Sequence, residues 1–215
     1  APSPSLSFAL VHRYIALSSN HKNRQPQAKL MPQTARNLAS GRRNFLFLQG
    51  PHGPFFDGLG KMLVQAGCSV WRIGFNAGDQ FFWRQRQQYI PFTAPPQDWP
   101  EFFTRTCEAH AITDIVLYGD TRRIHAEAID LARQRGLRIH VFEEGYLRPY
   151  WVTYEREGSN GHSKLTDTSV AQMQAALAQC DMEMPLPPAH WGDMRQHVFY
   201  GALYHWFVMF RNQRY

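Results

Sequence analysis

The chain has 215 residues, which is enough to bury a hydrophobic core and gives one or two domains as the first expectation. Hydrophobic residues make up 44% and charged residues 19%, a composition that excludes a disordered protein. The formal net charge of +6 suits anionic partners such as nucleotides, acidic sugars or phospholipid headgroups, although a solvated basic surface explains it equally. No run of Lys and Arg interleaved with aromatics is typical of a nucleic-acid module, so we expect no nucleic-acid partner.

The cysteines and the apolar runs indicate a cytoplasmic protein. Cys68, Cys107 and Cys180 are odd in number and lack C-x-x-C spacing, which favours packed thiols over a disulfide framework or a zinc site. No apolar run reaches the roughly 18 residues that a membrane-spanning helix needs. We therefore predict neither a metal nor a cofactor, and no membrane span.

Residues 1–43 show no sustained period and are rich in Ser, Pro, Asn, Gln and Arg. This pattern predicts a poorly ordered leader. Because Met31 lies shortly before the first predicted strand, we expect the natural protein to begin there, which an intact mass would test.

Strands and helices alternate through the next part of the chain, and short turns separate them. The first part of the pattern predicts a strand over Asn44–Gln49, a helix from Phe55 to a stop at Gly67, a strand over Cys68–Phe75 and an aromatic loop over 80–96. It then predicts a helix over Trp99–His110, a strand over Ile112–Tyr118, a helix over Thr121–Arg135 and a strand from Gly136 to Glu144. A short strand over Trp151–Glu155 and helices over 168–182 and 192–211 follow. Such alternation predicts parallel strands joined by crossovers. We expect an α/β fold: a Rossmann-like parallel sheet domain over 44–165, with C-terminal helices over 166–215.

The end of each predicted central strand carries polar residues or glycine. These ends hold Gln49-Gly50, Asn76 with Gly78-Asp79, Gly119-Asp120, and Glu143-Glu144-Gly145. Ligands of open α/β sheets bind outside the carboxyl ends of the strands, so we expect these residues to form one site. The turn Gly50–Pro54 has neither the G-x-G-x-x-G spacing of a dinucleotide site nor the lysine of a P-loop.

The paired carboxylates Glu143 and Glu144 are the candidates for catalysis. Glu144 could act as a nucleophile with Glu143 as a helper, but adjacent strand residues point to opposite sides, so one of them could instead make a structural contact. Arg148, three residues after Gly145, could hold a phosphate or a sugar carboxylate, or pair with Glu143.

Five further residues could bind substrate, and three of them have a structural alternative. Asp79 and Asp120 could accept hydrogen bonds from sugar hydroxyls or serve as turn and cap residues. His52 could contact a ligand or be an exposed turn residue. His162 and Ser163 lie in a glycine-rich stretch that could form a ligand loop.

Several motifs in order resemble the bacterial capsule polysaccharide biosynthesis/export proteins of the KpsS/LipB type. They are F-L-F-L-Q-G-P-H-G-P-F-F, R-I-G-F-N-A-G-D, I-V-L-Y-G-D-T-R-R-I-H, H-V-F-E-E-G-Y-L-R-P-Y-W-V-T and G-S-N-G-H-S. The resemblance implies a retaining glycosyltransferase that adds β-Kdo from CMP-Kdo to a phosphatidylglycerol-type lipid, building the linker that carries the capsule. It also implies a cytoplasmic protein, peripheral on the inner face of the cytoplasmic membrane, that works with the capsule export machinery. Related transferases have an E-D-G-[FY]-L-R motif, and its acidic second position falls on Glu144 here.

The resemblance further implies a two-domain GT-B architecture in which the second domain holds most of the nucleotide. The His-Pro motif expected for CMP does not occur in this sequence. We therefore expect residues 166–215 to be the start of a missing second domain and the present chain to be inactive alone. The aromatic last helix could lie on an anionic membrane, but loss of a covering domain explains it better. The alternative functions are a non-catalytic component of the export assembly and a generic nucleotide-binding module.

Overall fold

The computed structural model describes residues 41, 43–145, 152–178 and 194–212. The strands are β1 (Asn44–Phe47), β2 (Ser69–Gly74), β3 (Tyr89–Pro91), β4 (Asp114–Tyr118), β5 (Arg138–Glu144) and β6 (Val152–Arg156). The helices are α1 (Phe55–Gln65), α2 (Ala77–Phe81), α3 (Trp99–Ala109), α4 (Arg123–Gln134), α5 (Val170–Leu177) and α6 (Arg195–Arg211). Short 3-10 helices cover Arg86–Gln88, Pro96–Asp98, Asn160–His162 and Lys164–Asp167.

The six strands form one sheet in the order β3-β2-β1-β4-β5-β6. Pairings among β1 to β5 are parallel, and β6 runs antiparallel to β5. The predicted Rossmann-like α/β fold is confirmed. Two details differ from the prediction: Tyr89–Pro91, inside the expected loop, adds an edge strand, and β6 is antiparallel because only a short connection separates it from β5.

Alternating side chains of the central strands feed two hydrophobic clusters, one on each face of the sheet. Leu46 of β1 and Leu48, directly after the strand, join the cluster that contains Trp99, Phe103 and Ala128, which α3 and α4 contribute. Phe45 and Phe47 join the opposite cluster, to which α1 contributes its buried side chains. The period of two along the strand therefore buries both faces, as expected for a parallel sheet between helices.

Two glycines set the ends of helices. Gly67 after α1 and Gly136 after α4 have φ angles of +82° and +65°. Both lie in the left-handed region that favours glycine at a helix stop. They direct the chain from each helix into the following strand, β2 or β5.

A buried group of charged side chains closes the amino-terminal edge of the sheet. Asp114 is inaccessible to solvent and pairs with Arg43, and it accepts a hydrogen bond from Nε2 of His140 at 2.9 Å. Burial opposes ionisation, but the hydrogen bonds from His140 and Arg43 hold the pKa of Asp114 well below its usual range. Arg43, which the sequence analysis assigns to the leader, is thereby tied to the sheet.

The last described helix, α6, packs against α2 beside the ends of β1 and β2. Tyr204 is its buried residue, whereas Val198, Phe199, Met209 and Phe210 are exposed. Within the described ranges, no helix has the length and hydropathy that a membrane span requires.

Candidate functional site

The strand order reverses between β1 and β4. The chain continues from β1 to its neighbour β2 on one side, and from β4 to its neighbour β5 on the other side. This reversal is the topological switch point, and ligands of open α/β sheets bind in the crevice outside it. Gln49 follows β1 on one side of the switch point, and Gly119-Asp120 follows β4 on the other. The fold therefore brings these predicted residues to the edge that the sequence indicates.

Helix α6 covers the half of the edge formed by β1 and β2. The hydroxyl of Tyr204 accepts hydrogen bonds from Nδ2 of Asn76 at 2.6 Å and Nε2 of Gln49 at 3.2 Å. It donates to Oδ1 of Asp79 at 3.3 Å. Three predicted site residues therefore converge on one tyrosine that the sequence analysis did not select.

Asn76 and Asp79 build the turn after β2. Oδ1 of Asn76 accepts the backbone N–H of Asp79 at 2.9 Å and caps α2. Asp79 is fully buried; its oxygens accept from Arg72 at 2.9 Å and from the backbone N–H of Phe75 at 3.0 Å. The structure gives Asp79 internal partners instead of an open face, because a buried carboxylate needs a paired cation and hydrogen bonds.

The turn after β1 holds Gly50 and His52. A Cβ at Gly50 would lie 2.5 Å from Cδ2 of Phe56, so this glycine permits close packing on α1. The exposed ring of His52 stacks on Tyr204 at 4.3 Å and meets His205 edge-on at 4.9 Å. His52 thus lies at the contact between the turn and α6.

Asp120 organises the other half of the edge. Its Oδ2 accepts the backbone N–H of Ser159 at 2.8 Å and contacts Nδ1 of His162 at 3.1 Å. Its Oδ1 is buried without a hydrogen-bond partner among the described atoms. Two residues predicted to bind substrate, Asp120 and His162, are therefore joined to each other, and the His162 side chain remains 64% exposed.

The loop after β6 also brings Ser163 back to the sheet. Its hydroxyl donates to Oε2 of Glu155, a β6 residue that the sequence analysis did not select. Burial raises the pKa of Glu155, the hydrogen bond from Ser163 lowers it, and the charge of Asp120 raises it again. Hydrogen bonds and charge interactions therefore link the loop after β6 to Asp120 and Glu155.

Glu143 and Glu144 end β5 on opposite faces of the sheet. Strand alternation places Glu143 on the face of Val141, towards α4, and Glu144 on the face of Phe142, towards α1. Burial raises the pKa of Glu143, a backbone hydrogen bond lowers it, and the charges of Asp120 and Arg122 act in opposite directions. Both carboxylates are partly exposed.

Arg122 is a third residue that sequence reasoning missed, after Tyr204 and Glu155. It follows Thr121 after β4, and its Nη1 donates to Oε1 of Gln49 at 2.6 Å. The motif G-D-T-R-R-I-H carries two adjacent arginines after a strand end, and this pair was the signal in the sequence that could have identified Arg122.

The predicted cation Arg148 lies outside the described residues. In the described ranges no cluster of His, Cys, Asp or Glu has the arrangement of a metal site.

The fold is a Rossmann-like α/β domain with acidic side chains at the carboxyl ends of its strands. Residues 113–197 match the family described as capsule polysaccharide biosynthesis protein. The chain is 34% identical over 189 residues to the capsule polysaccharide modification protein LipB of Neisseria meningitidis serogroup B, a match covering 86% of this chain and 44% of that protein. It is 38% identical over 128 residues to the capsule polysaccharide export protein KpsS of Escherichia coli, covering 60% and 32%.

These matches confirm the resemblance found in the motifs: the chain is similar to the bacterial capsule polysaccharide proteins of the KpsS/LipB type. The chain spans less than half the length of these relatives.

Proposed function

We propose that this protein contributes a glycosyltransferase domain that moves β-Kdo from CMP-Kdo to a phosphatidylglycerol-type lipid, with retention of configuration. The names of the relatives refer to capsule polysaccharide modification and export, which supports a role in capsule assembly. In the proposed arrangement this domain is the first half of a GT-B enzyme, and a second domain holds most of the nucleotide.

Retention requires two successive displacements at the anomeric carbon. In the first, a Glu144 oxygen bonds to that carbon while the bond to the CMP phosphate breaks, and CMP leaves with the electron pair. In the second, the acceptor hydroxyl attacks the same carbon and Glu144 leaves as a carboxylate. A carboxylate suits both steps because it traps the positive charge that develops on the sugar.

Glu143 is the proposed helper in proton transfer. Its pKa is raised chiefly by burial, which brings the carboxyl group closer to the range useful for general acid–base catalysis. It would accept the proton of the acceptor hydroxyl in the second displacement. Asp120 would act by holding His162 and the loop beside the acidic pair.

The observation that carries this proposal is the position of the acidic pair at the end of β5, in the same sheet edge as the switch point. The charges of Asp120 and Arg122, in the turn after the neighbouring β4, act on the pKa of Glu143 in opposite directions. The proposed nucleophile and proton acceptor therefore follow each other at the end of β5, and the charge of Arg122 acts on the proton acceptor.

We further propose that the protein acts at the inner face of the cytoplasmic membrane. No Asp or Glu occurs in α6, which carries Arg195 and Arg211 at its ends. Its exposed Val198, Phe199 and Met209 could enter the headgroup region of an anionic lipid surface. A covering protein domain is the other occupant that this apolar face would fit.

The deciding experiment replaces Glu144 with Gln in the protein as expressed by its capsulated host. We expect lipid-linked Kdo, measured by mass spectrometry, and surface capsule to be lost, while circular dichroism shows an unchanged fold. Glu101→Gln is the matched control, since the Glu101 side chain is 83% exposed on α3. Normal lipid-linked Kdo in Glu144→Gln would contradict the assignment of Glu144.

A non-catalytic role in the export assembly is the second candidate, favoured by the name of the relative KpsS, which is a capsule polysaccharide export protein. It predicts that Glu144→Gln leaves capsule and lipid-linked Kdo unchanged. The same experiment therefore separates the two functions.

A further inference from the structure

Arg122 holds its guanidinium across the switch-point crevice. Its backbone precedes α4, beyond the end of β4, while its Nη1 donates to Oε1 of Gln49 beyond the end of β1. The amide nitrogen of Gln49 in turn donates to the hydroxyl of Tyr204, which fixes the orientation of the amide. The fold therefore places a cation where the strand order reverses and keeps it there by a chain of hydrogen bonds.

The guanidinium of Arg122 keeps donors available for a ligand. Its side chain is exposed, and among the described residues no carboxylate lies within ion-pair distance of it. Its neighbour Arg123 differs, because Nε of Arg123 pairs with Oε1 of Glu127 at 2.8 Å along α4. A planar guanidinium with free N–H groups matches the paired oxygens of a phosphate or carboxylate.

Histidines from two other elements lie near Arg122. His52 of the β1 turn lies 4.9 Å from His205 of α6, measured between ring centroids, and both rings are exposed. The pKa of His52 is lowered by burial first, and then by the charges of His205, Arg122 and His197. A bound anion would oppose this lowering, because it favours the protonated form of His52.

We propose that Arg122, with His52 and His205 beside it, binds an oxyanion of the substrate at the crevice between β1 and β4. The identity of this substrate rests on the proposed function: Kdo carries a carboxylate on its anomeric carbon, and the phosphate of CMP leaves from the same carbon. Both oxyanions share the chemistry that a guanidinium recognises. Because the charge of Arg122 also reaches Glu143, the bound anion would hold the anomeric carbon next to the acidic pair.

The test measures binding of CMP and of free Kdo separately, by NMR titration of the 215-residue chain. We expect Arg122→Gln to weaken binding of the recognised anion about tenfold or more, since hydrogen bonds between charged groups are the strong ones. Arg122→Lys should lose part of the affinity, because a point charge lacks the fork. Arg123→Gln is the matched control, with the same change in net charge one residue away.

The pKa of His52 supplies a second measurement that does not depend on ligand. Removing the charge of Arg122 should raise the pKa of His52 in the NMR titration, and Arg123→Gln should leave it unchanged. Loss of CMP binding would assign the phosphate to Arg122, and loss of Kdo binding would assign the carboxylate. Equal weakening by both arginine variants, or binding of neither probe by the unaltered chain, would overturn the proposal.

Failure of this inference and failure of the proposed function give different results. If Arg122→Gln abolishes anion binding but the host shows no Glu144-dependent lipid-linked Kdo, the anion site stands and the transferase role fails. If Kdo transfer depends on Glu144 while Arg122→Gln binds both anions normally, the transferase role stands and the anion site is refuted.

Discussion

Replacing Tyr204 with Phe tests whether α6 is held on the sheet edge by one hydroxyl. This hydroxyl fills its full hydrogen-bonding capacity, accepting from Asn76 and Gln49 and donating to Asp79. Burial and the charge of Asp79 raise the pKa of Tyr204 to about 12, so it remains a donor at neutral pH. The variant keeps the ring and removes these three bonds.

The expected cost follows from what the missing hydroxyl leaves behind. A buried polar group without a partner costs about 1–3 kcal/mol, and a bond to a charged acceptor contributes about 1.5–3 kcal/mol. Gln49 is only half-buried, so water can take up its amide N–H, and Asp79 keeps its hydrogen bonds from Arg72 and from the backbone of Phe75; we therefore expect about 2–3 kcal/mol. At 1.4 kcal/mol per factor of ten, the docking equilibrium of α6 falls by roughly 30- to 150-fold.

Hydrogen exchange measured by mass spectrometry reads this equilibrium directly. Amides of Arg195–Arg211 should exchange faster in Tyr204→Phe, while those of the central strands should stay protected. Tyr200→Phe is the matched control: its ring packs near Gly53 and Phe82, and no described residue hydrogen-bonds its hydroxyl. Unchanged exchange of α6 in Tyr204→Phe, or equal acceleration in Tyr200→Phe, would refute the reasoning.

Two further predictions concern stability. Gly60→Ala should lower the free energy of unfolding by about 1–3 kcal/mol, because its Cβ would lie 2.7 Å from the fully buried Trp83 ring. Gly58→Ala in the same helix meets no atom within 4 Å and should instead stabilise by about 0.5–1 kcal/mol, so a loss there in chemical denaturation would speak against this packing. Burial lowers the pKa of His125 from 6.5 to about 4, so stability should fall as the pH drops from 6.5 to 4, where the unfolded imidazole takes up a proton that the folded one does not. Urea unfolding across this range should show a flatter pH dependence in His125→Gln than in the unaltered chain, and identical slopes would contradict it.

The order of strands and helices could be read from the sequence because it depends on local patterns. Phe45 and Phe47 alternate with Leu46 and Leu48, and glycine stops α1 and α4. The same patterns locate Glu143, Glu144 and Asp120 at strand ends. Beyond β5 the signal weakens, since the hydrophobic period does not distinguish a parallel from an antiparallel edge strand such as β6.

The partner of each side chain at the edge depends on residues far away in the chain. Gln49 and Tyr204 are separated by 155 positions, and Asp120 and His162 by 42. No local period encodes such contacts, because they arise only when packing brings separate elements together. Local pattern thus supplies the strands and the acidic residues at their ends, whereas packing of α6 and α4 on the sheet decides which polar groups are paired with each other.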